Sequence, residues 1–167
     1  MCSSDLVAPR LHDEAGAPAE AAAVDDWRAI WDRTYGEAAA SVADPATHLA
    51  GWRSSYDQAP LPRAEMDEWL AETVAKVLER RPRDLMEIGC GTGMLLLRIA
   101  PQCASYRACD LSAQPIAHVQ GQLGQVDLRG CRVELAVGAA LEVPPGLAPA
   151  SLDCVLLNSV VQYFPDA

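Results

Sequence analysis

Positive charge is scarce in this sequence: 13 Lys and Arg stand against 23 Asp and Glu over 167 residues, a formal net charge of −10 at pH 7. Acidity of that size weighs against a nucleic-acid groove or an anionic membrane surface, both of which recruit clustered cations. Paired cysteine motifs are missing as well. The six cysteines, at positions 2, 90, 103, 109, 131 and 154, form no CxxC pair and no metal-ligand cluster, and several lie inside apolar runs where they act as small hydrophobes. Reduced thiols, a cytoplasmic setting and no bound metal are the expectation. No stretch is long and apolar enough to span a bilayer, and no charged-then-apolar leader opens the chain, so neither a membrane nor a nucleic acid is expected as a partner. With half of its residues apolar, a chain of this length can bury one core and little more.

What the chain does have is a glycine turn. Glu87-Ile88-Gly89-Cys90-Gly91-Thr92-Gly93 places glycine at every second position, after a short apolar strand over 85–88 and before an apolar run over 94–100. Glycine admits positive φ and lets a ligand approach the main chain. Dinucleotide sites place the third glycine five residues after the first, whereas here Met94 holds that place, which disfavours a pyrophosphate cradle. Such a turn can also be a tight connection that binds nothing. A second strand-like run, 105–109, ends in Asp110, where an α/β nucleotide site puts an acid to take both ribose hydroxyls. Asp110 also suits a helix start, because Leu111, Ser112 and Pro115 follow and Ser112 reads as an N-cap. The two roles are compatible.

The segments LMEIGCGTGMLLLRIAP, YRACDLS and LDCVLLNSVVQYFPD together resemble the class I S-adenosylmethionine-dependent methyltransferases. The narrower segment NSVVQYFP, with GWRSSYDQAPLPRAEMDEWL ahead of the sheet, resembles the methyltransferase domains embedded in nonribosomal peptide synthetases. The resemblance covers roughly residue 25 to the last residue. It implies a Rossmann-like doubly wound parallel α/β sheet with S-adenosyl-L-methionine as cofactor. It also implies three strands beyond the fourth, so the chain reads as a C-terminally truncated domain whose fourth strand is an open edge.

The pattern of the chain divides it in three. Residues 1–23 are rich in Ala, Pro and Glu without apolar periodicity and suit a linker or disordered arm; residues 2–6 also match the peptide of a read-through sequencing adapter. Residues 24–83 read as a helical lid segment. There Asp25 or Asp26 caps a helix whose Trp27, Ile30, Trp31 and Tyr35 form one apolar packing stripe. A polar loop over 44–62 and a second helix over 63–80 follow, the latter ended by Pro82. From residue 84 the order is strand 84–88, helix 94–100, strand 105–109, helix 115–122, strand 132–137 and strand 152–158, which implies right-handed crossovers and a parallel sheet. Residues 138–150 read as loop, with at most one helical turn over 139–143.

The resemblance also assigns roles. It implies that Gly89, Cys90, Gly91 and Gly93 line the methionine end of the cofactor, that Glu87 fixes the turn and reaches the cofactor amino group through water, and that Asp110 with Leu111 holds the ribose. Tyr56 is a candidate lid residue over the cofactor, or a residue of simple loop packing. Asn158 faces the methyl group, with Ser159, Gln162 and Tyr163 on the acceptor side; a helix cap at Asn158 or Ser159 is the plainer reading. An acid often found after the third strand is replaced by Ala139, with Glu142 or backbone groups as substitutes. Neither His48 nor His118 is assigned as a base, and Asp153 lies at the wrong end of the sheet. The implied reaction is methyl transfer to the amine of a carrier-tethered aminoacyl or peptidyl substrate, with adenylation and carrier domains as neighbours in one polypeptide. A stand-alone small-molecule methyltransferase, an inactive interaction domain and a nicotinamide dehydrogenase are the alternatives.

Overall fold

The computed structural model describes residues 17–39, 56, 57, 59–140 and 147–161, with side chains of the first helix described over 24–36. Two helices come first, α1 (Ala17–Ala39) and α2 (Arg63–Glu79). Then follow β1 (Asp84–Ile88), the single-turn α3 (Leu96–Ile99), β2 (Ser105–Asp110), α4 (Ala113–Leu123), β3 (Arg132–Val137) and β4 (Cys154–Leu157). All pairings are parallel and the strand order is β3-β2-β1-β4. The chain therefore winds outward from β1 through β2 to β3 and returns to the other side of β1. The carboxyl ends of β1 and β4, at such a reversal, are where open α/β sheets bind ligands.

The core lies between the sheet and its helices. Leu85, Leu96, Ile99, Tyr106 and Val119 are completely buried, and α2 adds Leu70 and Val77, with Trp69, Val74 and Leu78 packed against them. The apolar face expected of α2 is thus the face that it buries. Cys90, Cys103, Cys109 and Cys131 are buried free thiols. Burial pushes the Cys103 thiol up to about 11, which leaves it unreactive as a nucleophile.

Three expectations about elements are corrected. The first helix begins at Ala17, not at Asp25 or Asp26, so residues 17–23 are helical. Its opening, Ala-Pro-Ala-Glu-Ala-Ala-Ala, is made largely of the strongest helix formers and needs no apolar stripe to be helical. Asp25 sits inside the helix, where its carboxylate pairs with Arg28. The helix after the glycine turn is one turn long: residues 94 and 95 belong to the turn before it, and a 3-10 segment over Ala100–Gln102 follows it. Finally, β4 begins at Cys154 and not at 152, and Asn158 lies beyond its end. The possible helical turn over 139–143, including Glu142, falls largely outside the described residues.

Among the described residues no helix is long and apolar enough to cross a membrane, and no group of His, Cys, Asp and Glu could hold a metal ion.

Candidate functional site

The glycine turn hangs on the end of β2. Gly89 and Cys90 both donate their N–H to the Cys109 carbonyl, at 2.8 and 3.0 Å, and Gly93 donates back to Cys90 at 2.9 Å. Gly89, Gly91 and Gly93 have φ of 73°, 51° and 79°, a region that side chains strain. Their surroundings differ. A Cβ on Gly89 would lie 2.2 Å from Val160 Cγ2, and one on Gly93 would lie 2.7 Å from Val119 Cγ2. At Gly91 the nearest atom would be the Tyr35 hydroxyl, at 3.2 Å, so this glycine has an open side under a single polar group.

Asp110 closes β2 beside that open side and is 7% exposed. One oxygen accepts from Gly91 N at 2.8 Å and the other from Ser112 N at 3.0 Å. The carboxylate thus staples the glycine turn to the start of α4, and with a third N–H donor from Leu111 it keeps about one of its roughly four lone-pair sites free. Burial raises its pKa and the Asp32 charge adds to the rise, while N–H donors from Ser112, Gly91 and Leu111 pull it down. Ser112 caps α4 as expected, its hydroxyl accepting from Gln114 N at 3.3 Å. Leu111 is the half-buried residue between staple and cap. Of the two roles considered for Asp110, its place in a helix start is seen in the bond from Ser112 N.

Glu87 is 2% exposed in the core and accepts from the Tyr106 hydroxyl at 2.8 Å. Burial lifts its pKa to about 8 against that hydrogen bond, with the Asp110 charge assisting, so at neutral pH the group is largely protonated. Its other oxygen receives no hydrogen bond from the described residues. The Cys90 thiol, also buried, is pushed up for the same reason.

Asn158 is half-buried and Ser159 exposed with φ of 57°, just past β4. Val160 then turns back onto Gly89, so this segment lies against the glycine turn. Gln162 and Tyr163 fall outside the described residues. Tyr56 is fully exposed. Tyr35 of α1 lies over the turn and stacks on Trp31 with ring centroids 5.5 Å apart. Sequence reasoning missed this role because the i, i+4 spacing of Trp31 and Tyr35 is that of any packing stripe. After β3 the Gly138 N–H is tied to the Asp110 carbonyl at 2.9 Å, and Ala139 stands where an acid was sought. Asp153 lies at the opposite end of the sheet, accepting from Arg83 N and Asp84 N at 2.8 and 3.0 Å.

Comparison with known proteins adds a family. A methyltransferase domain family matches residues 86–167. The chondramide synthase of Chondromyces crocatus is 36% identical over 142 residues, covering 85% of this chain and 4% of the synthase. The nonribosomal peptide synthetase agiA of Aspergillus flavus is 36% identical over 166 residues, 94% of this chain and 2% of that protein. The chain therefore spans only a few per cent of the length of these relatives. Among solved structures, phosphoethanolamine N-methyltransferase 1 of Haemonchus contortus, in complex with phosphoethanolamine and S-adenosylhomocysteine, shares the fold with a TM-score of 0.62 at 17% identity, over 93% of this chain and 29% of that one. Magnesium protoporphyrin IX methyltransferase of Synechocystis, with bound SAM, has a TM-score of 0.62 at 14% identity, over 95% of this chain and 67% of that one.

Proposed function

Because residues 86–167 belong to the methyltransferase domain family, we propose that this chain is part of an S-adenosylmethionine-dependent enzyme that methylates the amine of a carrier-tethered aminoacyl or peptidyl group in nonribosomal peptide assembly. The observation that carries the reading is Asp110, fixed by Gly91 N and Ser112 N beside the open side of Gly91 at the point where the strand order reverses. The residues present fit the cofactor. Asp110 retains about one acceptor site for a ribose hydroxyl, Gly91 is bounded on its Cβ side only by the flexible end of Tyr35, and Glu87 is a buried carboxyl behind the turn.

When bound, the cofactor supplies an electrophilic methyl group on a sulfonium. The chain's own part is orientation and exclusion of water. Asp110 fixes the ribose, Gly91 the amino-acid end, and Tyr35 covers that end from α1. Asn158 and Ser159 stand at the carboxyl edge of the sheet, and Gln162 and Tyr163, further along the sequence, are the residues assigned to the acceptor. An α-amine attacks in its neutral form and titrates near about 7.7 to 8, so orientation can carry the reaction without a dedicated base. The family of synthetases among the relatives supports adenylation and carrier domains as neighbours in one polypeptide.

The test is mass spectrometry of a reconstituted module. A methyl group on the carrier-bound substrate is the expected product, and Gln162→Ala with Tyr163→Ala should depress turnover far more than cofactor affinity. A methyl group found only on a free metabolite would overturn the assembly-line reading.

A further inference from the structure

Helix α1 contributes no residue to the buried core cluster among the described residues, and its Ile30 is exposed. Polar contacts tie it to α4. The Ser112 hydroxyl donates a short hydrogen bond to the Asp32 carboxylate, and Gln114 Nε2 donates to the Asp32 carbonyl at 3.0 Å. One turn further on, a Cβ on Gly36 would meet the Gln114 side chain at 3.4 Å. Asp32, Tyr35 and Gly36 fall at i, i+3 and i+4 and so share one helix face. The face that docks on the start of α4 is therefore the face that puts the Tyr35 hydroxyl over Gly91.

The contacts close a circuit. Asp32 takes the Ser112 hydroxyl, the Ser112 N–H goes to Asp110, Asp110 takes the Gly91 N–H, and Gly91 lies under Tyr35 of the same helix as Asp32. An element tied to its neighbour by a part-buried and an exposed hydrogen bond, outside the buried core cluster of the described residues, opens locally at low cost. We propose that Asp32 is a positioning residue, a polar latch that fastens α1 to the cap of α4 and so holds Tyr35 over the glycine turn, making cofactor uptake and release wait on its opening. This rests on the cofactor reading above.

Hydrogen exchange of the ligand-free full chain tests the latch, and the dissociation rate of S-adenosylhomocysteine tests its use. Asp32→Ala should speed amide exchange over residues 24–36 roughly tenfold and speed product dissociation comparably, the scale of one lost hydrogen bond to a charged group. Asp32→Asn, which keeps an oxygen for the Ser112 hydroxyl, should restore most of both, and Tyr35→Ala should make Asp32→Ala nearly silent on dissociation. Unchanged exchange in both Asp32→Ala and Ser112→Ala overturns the latch. Faster exchange with unaltered dissociation overturns its role at the site. Wild-type chain that binds no S-adenosylhomocysteine overturns the cofactor reading and the gating with it, while exchange still decides the latch.

Discussion

Glu87 and Asp110, buried carboxylates on neighbouring strands, are held in opposite ways. Asp110 is fed by backbone donors, so Asp110→Ala should cost cofactor binding on the order of 2 to 3 kcal/mol and also lower the melting temperature of the free chain, because Gly91 N and Ser112 N lose their acceptor. Calorimetry with S-adenosylhomocysteine, set beside thermal melts, checks both halves; unchanged affinity would remove Asp110 from the ribose. Glu87 meets one hydroxyl and an apolar core, and its carboxyl rises from 4.5 to about 8 on folding. Between those values the folded state keeps a proton that the unfolded chain releases, so the stability is complete below the unfolded value and is lost as pH climbs through about 8. Glu87→Gln should flatten that decline, read as urea midpoints from acidic to alkaline pH. A decline of equal steepness in the variant would place the titrating group elsewhere. The sequence marked both acids, but not this difference. Glu87 reaches Tyr106 only because Leu85 pairs with Tyr106 across β1 and β2, which puts the hydroxyl diagonally beside the acid, and register of that kind is not written in either strand alone.

At the scale of elements, the strand, turn and helix order from β1 to α4 was legible because apolar runs alternate with turn residues and Ser112 announces a cap. The start of α1 was not, since an alanine-rich opening lacks the periodicity by which a surface helix is recognised, and the docking of α1 depends on contacts 80 residues apart. The glycines were legible as a turn, but not the neighbours that separate them. Gly93→Ala sets a Cβ against Val119 on α4 at positive φ and should destabilise the chain by about 2 to 4 kcal/mol, part of which a Val119→Ala background returns. Gly91→Ala meets only the flexible end of Tyr35 and should cost about 1 kcal/mol of stability while weakening S-adenosylhomocysteine much more. Urea denaturation and calorimetry on the two variants give the comparison, and equal losses of affinity would mean that the open side of Gly91 is not where the cofactor lies.

For the whole molecule, the exposed margin of the sheet sets how copies of the chain meet. The run over 152–157 is almost wholly apolar, as a strand covered on both faces would be, yet only one face of β4 is covered among the described residues. Cys154 and Leu156 pack on the core, while Val155 and Leu157, two residues apart and so on the other face, are 49% and 38% exposed, with Val161 beyond them at 49%. Among the described residues β4 stands at the edge of the strand order, so there its outer main-chain groups face no other strand. Opposing this attraction is a net charge of −10, which keeps copies apart at low ionic strength. Salt shortens the reach of that repulsion to about 10 Å at 0.1 M and leaves the apolar attraction intact. Sedimentation velocity should therefore show the chain associating more as salt is raised, the reverse of an interface built on ion pairs. Val155→Lys with Leu157→Lys, which puts charge on the apolar face without touching Cys154 or Leu156, should return it to monomer at every salt concentration. A wild-type chain that stays monomeric at high salt would mean that β4 is not an adhesive edge.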